Sequence, residues 1–156
     1  MSKTYTYTDE KQMLRGTVDE FKDNLIFCEI LNHIFKCNNC DESNYLKLTY
    51  YISRNLDKKL VDREVKKIDD YIREIYDSSI SLIPNFTTDR PVISDYRIIN
   101  AYEFDYDAEE KKITINIYYS SKLLKNIKEF LLTDWKQLLE LSKYRANFER
   151  IYRQEG

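Results

Sequence analysis

Between Tyr102 and Ile117 the apolar residues of this chain change period, from helical to alternating, and that change limits the folds open to it. Tyr102, Phe104 and Tyr106 alternate with Glu103 and Asp105, and Ile113, Ile115 and Ile117 alternate with Thr114 and Asn116. In an extended chain, alternate side chains share a face, so each run builds one apolar and one polar side. The short polar stretch Asp107-Ala108-Glu109-Glu110 lies between them. Two alternating runs around such a turn predict a β-hairpin over about 96–119.

On both sides of that segment the period is helical. Val18, Phe21, Leu25, Cys28, Leu31 and Phe35 recur at spacings of three and four, predicting a helix over 17–36. Thr17 and Glu20 have the spacing of a capping box, and Gly16 permits a turn before it. Tyr45, Leu48, Ile52 and Leu56 predict a second helix over 44–56. Val65, Ile68, Ile72 and Ile75 predict a third over 62–77, and 78–83 reads as a short strand. Ser120 or Ser121 caps a helix over 121–131, and Thr133 or Asp134 caps one over 134–153. The stripe of that last helix, Trp135, Leu138, Leu141, Tyr144, Phe148 and Ile151, is expected to face the core. The fold class is therefore α+β, mostly α, in one domain over 1–156, with 1–16 as a flexible or short helical arm.

Composition narrows the functions. The net charge is −2 with 33% charged residues of both signs, so contact with nucleic acid has to come from a local patch. The N-terminus lacks the apolar core of a secretory signal, and no apolar run reaches membrane-spanning length. Three cysteines, an odd number, suit a reducing compartment, so a cytoplasmic protein is expected. Two glycines could hardly build a phosphate-binding glycine loop, and no nucleophile–base signature is recognisable, so no enzymatic activity is expected.

Cys28, His33, Cys37 and Cys40 fall within thirteen residues, and Cys37-x-x-Cys40 has the spacing of a metal knuckle. On one continuous helix, however, Cys28 and Cys37 lie on opposite sides, and only His33 and Cys37 share a face. Neither a metal nor any other cofactor is expected. The strongest binding signal is basic. Lys58, Lys59, Arg63, Lys66 and Lys67 cluster around the start of the third helix, where lysines and the positive helix end together can meet phosphate. Two further basic rows, Lys122, Lys125 and Lys128, and Lys143, Arg150 and Arg153, read more simply as solvated faces.

Helix, helix, helix, hairpin is the order of a winged helix, with the 62–77 helix in the recognition position. The run from Tyr102 to Gln154 also resembles the end of the N-terminal winged-helix domain of plasmid replication initiator (Rep) proteins. In that family an acidic-tipped hairpin leads to a Ser-capped helix, and a further helix ends in a Ser-Lys-Tyr segment with an Arg/Leu/Tyr-rich tail. Here Asp107-Ala108-Glu109-Glu110 is the tip, Ser121-Lys122-Leu123-Leu124 the cap, and Ser142-Lys143-Tyr144 the triplet, followed by Tyr152 and Gln154. The resemblance implies a DNA-binding protein of a mobile element, plasmid or phage, with duplex DNA as partner. It also implies a homodimer or a partner protein for a solitary first domain. From a different class comes a non-enzymatic adaptor or inhibitor that binds a protein through exposed tyrosines and the hairpin.

Overall fold

The computed structural model describes residues 3–36, 44–52, 56–83, 94–151 and 153–154, with the backbone alone for 147–151 and 153–154. The fold is α+β and mostly helical. In chain order it runs β1 (Lys3–Tyr7), α1 (Glu10–Phe21), α2 (Leu25–Lys36), β2 (Tyr45–Tyr51), α3 (Lys58–Tyr76), β3 (Ser78–Leu82) and β4 (Ser94–Arg97). It continues with β5 (Ile99–Asp107), β6 (Lys112–Tyr119), α4 (Ser121–Thr133), α5 (Trp135–Ile151) and β7 (Arg153–Gln154). One sheet has the order β1-β3-β4, with β1 parallel to β3; the other, antiparallel, has the order β5-β6-β2-β7.

The hairpin forms where the alternation puts it. β5 pairs with β6 from Ile99↔Tyr119 to Asp107↔Lys112. Ile113, Ile115, Ile117 and Tyr119 are buried on the inner face, with Tyr102, Phe104 and Tyr106 packed against the core beside them. The Asp107 carboxylate accepts from Glu109 N at 3.0 Å and Glu110 N at 3.2 Å, which winds the turn. Lys111 completes it at φ 51. The predicted hairpin began at 96, but Tyr96 belongs to β4 and pairs with Ile80 in the other sheet.

The expected helix over 44–56 is instead strand β2, followed by residues 53–55, which lie outside those described. Leu46, Leu48 and Tyr50 turn inward while Tyr45, Lys47, Thr49 and Tyr51 face outward. Leu48 and Ile52 satisfy a spacing of four as well as one of two, so both periods fit; pairing with the whole of β6 decides between them. The run of three helices ahead of the hairpin is thus interrupted by a strand.

The expected helix over 17–36 is two helices. Asn24, 3% exposed, accepts from Phe27 N at 3.2 Å through its side chain and caps α2, while its amide donates to Tyr71 O at 2.9 Å. The apolar spacing from Phe21 to Leu25 is four, which carries the stripe across the break without a mark. Thr17 is not a cap: it lies inside α1 and donates to Met13 O at 2.7 Å. The cap of α1 is Asp9, which accepts from Gln12 N at 3.0 Å. Gly16 makes no turn either. A Cβ there would lie 2.6 Å from Tyr7 Cε1, so the missing side chain lets β1 close on α1. Of the segment expected as a flexible or short helical arm, Lys3–Tyr7 form a strand and the residues from Glu10 on are helical.

The last helix also departs from expectation. Leu141 is buried, but Trp135 is 64% exposed and Tyr144 is exposed as well. Phe148 and Ile151 have side chains outside those described. Residues spaced by three drift about 60° backwards around a helix at each step, so a stripe from 135 to 144 passes from one side to the other. What holds α5 in place is Leu141 against the core and Arg145 Nε on the buried Glu29 carboxylate at 3.0 Å.

Burial also sets an alkaline limit. The Cys28 thiol is pushed up to about 12 by its burial and then by the neighbouring Glu29 and Asp23 carboxylates. The Tyr5 hydroxyl is pushed up to about 12 by burial and by its hydrogen bond to Glu20. Both groups are neutral when protonated, and the folded chain keeps the proton longer than the unfolded one. Their contribution to stability is whole below the unfolded values of 9.0 and 10.0, and is lost as pH rises toward 12. The melting temperature should fall through that window, and Cys28→Ala should make the fall shallower. Superimposable alkaline profiles for parent and variant would contradict this.

Candidate nucleic-acid interface

The five basic residues singled out in the sequence all lie on α3, which begins four residues earlier than expected. Asp57 caps it, accepting from Leu60 N at 3.0 Å, so Lys58 and Lys59 are its first two residues. Val61, Ile68, Ile72 and Ile75 bury one side of the helix. Lys59, Arg63, Lys66 and Lys67, at spacings of three and four, fall on the other and are all exposed. Lys66 Nζ is 3.9 Å from Asp70 Oδ2 across a solvent-exposed pair. Among the described residues Lys58, Lys59, Arg63 and Lys67 hold no ion pair.

Charge along α3 is distributed against the helix dipole. Its first ten residues carry five cations and two acids, Asp62 and Glu64. Its last nine carry one cation, Arg73, and three acids, Asp69, Asp70 and Glu74. Cations at a helix N-terminus oppose the partial positive charge there, and acids at the C-terminus oppose the negative one. Helix stability therefore does not account for the arrangement, whereas the lysines and the dipole attract an anion together. A groove of ≈ 370 Å³ runs between Arg63, Lys66, Lys67, Asp70, Tyr71 and Glu74.

The other side of α3 meets the hairpin. A groove of ≈ 390 Å³ is lined by Asp62, Val65, Lys66, Asp69, Arg73, Tyr102 and Phe104. Arg73 Nε lies 3.0 Å from Asp69 Oδ2, and that carboxylate holds the guanidinium above its usual range. Tyr102, packed edge-on to Tyr76 at 5.2 Å, has its hydroxyl pushed up by burial and then by Asp69. This cluster fixes α3 against β5. The outward residues of the hairpin are acidic: Glu103, Asp105, Asp107, Glu109 and Glu110 are all exposed. It is not a surface that grips phosphate.

Of the other basic rows, Lys128 takes a structural role. Lys128 Nζ donates to Ile34 O at 3.2 Å and lies 5.8 Å from the centre of the Phe35 ring. Arg150 and Arg153 have side chains outside those described. Among the described residues no group of three or more His, Cys, Asp or Glu is placed to hold a metal ion. Cys37 and Cys40 lie outside them. Cys28 is buried, with Sγ 3.4 Å from Lys22 O, and His33 is half-buried, edge-on to Tyr119 at 5.9 Å, with its basicity lowered by burial. Elemental analysis is expected to find no stoichiometric zinc; one equivalent, lost on changing Cys37 and Cys40 to serine, would contradict this.

The sequence did not reveal an apolar surface at the corner between α4 and α5. Leu132 is 61% exposed, Trp135 64% and Leu139 49%. Leu132 follows Leu131, which is fully buried, and adjacent residues on a helix point about 100° apart. Comparison with protein-family models, with curated proteins and with solved structures gives no match to this chain.

Proposed function

We propose that this chain is a DNA-binding protein of winged-helix type, resembling a plasmid replication initiator domain of a mobile element, with α3 as its DNA-facing helix. The observation that carries the reading is the basic, exposed, largely unpaired first half of α3, set against its own helix dipole. β2 pairs with the whole of β6, so the hairpin is one side of a sheet that backs α3 rather than a detached arm. Phosphate contacts from Lys59, Arg63, Lys66 and Lys67 would position the helix on the duplex. The reading assigns no reaction and no cofactor, and it places the protein in the cytoplasm.

The test is anisotropy of a labelled duplex across a salt series. Four phosphates neutralised by α3 correspond to a slope of log K against log salt of about −4. Lys67→Ala should weaken binding to every sequence alike and reduce that slope by about one. Salt-independent binding, or a variant with the parent slope, would contradict the proposal.

The adaptor or inhibitor reading is favoured by a separate observation, the exposed Leu132, Trp135 and Leu139. Large aromatic side chains in such a position are typical anchors of protein interfaces. No helix among the described residues is long and apolar enough to cross a membrane.

A further inference from the structure

The α4–α5 corner carries an inference about what covers it, which rests on the protein-binding reading and is independent of α3. Trp135 and Leu139, one turn apart at the start of α5, and Leu132, near the end of α4, are large apolar side chains exposed at this corner. Beside it lies a groove of ≈ 580 Å³ lined by Trp135, Lys136, Leu139, Glu140, Lys143 and Tyr144. Tyr144, whose hydroxyl is pushed up chiefly by the Asp23 carboxylate, completes the lining. Glu140 Oε1 is engaged by Lys22 Nζ at 3.5 Å, whereas Lys136 and Lys143 hold no ion pair among the described residues.

We infer that this surface docks an amphipathic helix of another protein whose apolar stripe is bordered by carboxylates. Trp135 and Leu139, four apart on α5, are complementary to the stripe of a second helix, where anchors recur at i, i+3, i+4 and i+7. The border decides the partner's charge. Lys136 and Lys143 line the groove with one acid between them, Glu140, which Lys22 already engages, so a partner bearing Glu or Asp there is drawn in and one bearing Lys or Arg is repelled. A second copy of this chain fits less well. An isologous contact would bring the same two lysines of each copy to one rim, with only the already engaged Glu140 to oppose them.

Trp135 is the single tryptophan of the chain, so its emission reports this surface alone. The probes are two tryptophan-free helical peptides with the same leucine stripe, one flanked by Glu and one by Lys, each dye-labelled for anisotropy. The Glu-flanked peptide is expected to saturate with a blue shift of Trp135, and the Lys-flanked one to bind at least about ten-fold more weakly, as for a like-charge rim. Trp135→Ala and Leu139→Ala, each checked for an unchanged circular dichroism spectrum, should each weaken the Glu-flanked peptide about ten-fold or more, the range of interface anchors. Double reversal, Lys136→Glu with Lys143→Glu, should invert the peptide preference.

Equal binding of both peptides, abolished by Trp135→Ala, would overturn the charge-selected partner while leaving the surface a protein-binding one. No saturation by either peptide, with a blue shift on phosphatidylserine vesicles instead, would overturn the inference and the protein-binding reading together. A concentration-dependent dimer by sedimentation that dissociates on Trp135→Ala would overturn it in favour of a second copy.

Discussion

Replacing Ile115 with alanine is expected to lower the unfolding free energy by about 2–5 kcal/mol, the range for truncating a buried Ile or Leu. Ile115 sits in the middle of β6, fully buried, opposite Phe104 on one side and Leu48 on the other. β6 lies between β5 and β2 in that sheet, so the backbone on both sides is held by pairing and cannot collapse into the space left. A domain of this size has about 5–15 kcal/mol in all, so the loss is a large fraction of the total. The melting temperature should fall by roughly 5–15 °C. The neighbouring Thr114 alternates to the outer face, and Thr114→Ala should cost less than about 1 kcal/mol. Equal losses at the two positions would mean that both faces of this sheet are covered.

The second large effect is expected at Asn24. Its carbonyl oxygen caps α2 and its amide reaches Tyr71 O on α3, all at a position 3% exposed. Asn24→Ala removes the cap, worth about 0.5–2 kcal/mol, and leaves Phe27 N without that acceptor in a buried place, worth about 1–3 kcal/mol. The two terms overlap, and a loss of about 2–4 kcal/mol is expected from chemical denaturation. Asn24→Asp keeps an acceptor for Phe27 N but turns a buried carboxylate oxygen toward Tyr71 O and the Glu74 carboxylate, so it should also be less stable than the parent. A variant with alanine as stable as the parent would mean that α1 and α2 need no side-chain cap to turn at this point.

These two sites differ in how far they could be read from sequence. Ile115 was legible because strict alternation on both sides of a polar turn has one simple solution, and the structure adopts it. Asn24 was not, because Phe21 and Leu25 keep the spacing of a continuous helix while the chain turns between them. A buried capping asparagine leaves no trace in an apolar pattern. β2 was misread for a related reason. Leu48 and Ile52 fit either period, and what makes Tyr45–Tyr51 a strand is its partner β6, more than sixty residues away in the sequence. Such long-range pairing overrides local preference routinely.

The candidate site divides in the same way. That Lys58, Lys59, Arg63, Lys66 and Lys67 gather on one helix follows from their spacing alone. Which of them meet an acid does not: Lys66 has Asp70 one turn on, and Lys67 holds no ion pair among the described residues. Trp135 was assigned to the core because three-residue spacing imitates a stripe over short distances. Its exposure, with Leu132 and Leu139, becomes visible only once the direction of α5 against α2 is fixed by Leu141 and Arg145.

The basic half of α3 is the surface proposed to meet duplex DNA. It is tested most directly by titrating a short duplex into isotopically labelled protein and following backbone amide shifts at low salt. The largest shifts are expected from Lys58 to Lys67, small ones along the acidic tip at Asp107–Glu110, and none at Trp135 or Leu139. Shifts concentrated at the α4–α5 corner, or none anywhere at a concentration of duplex well above that of the protein, would contradict it.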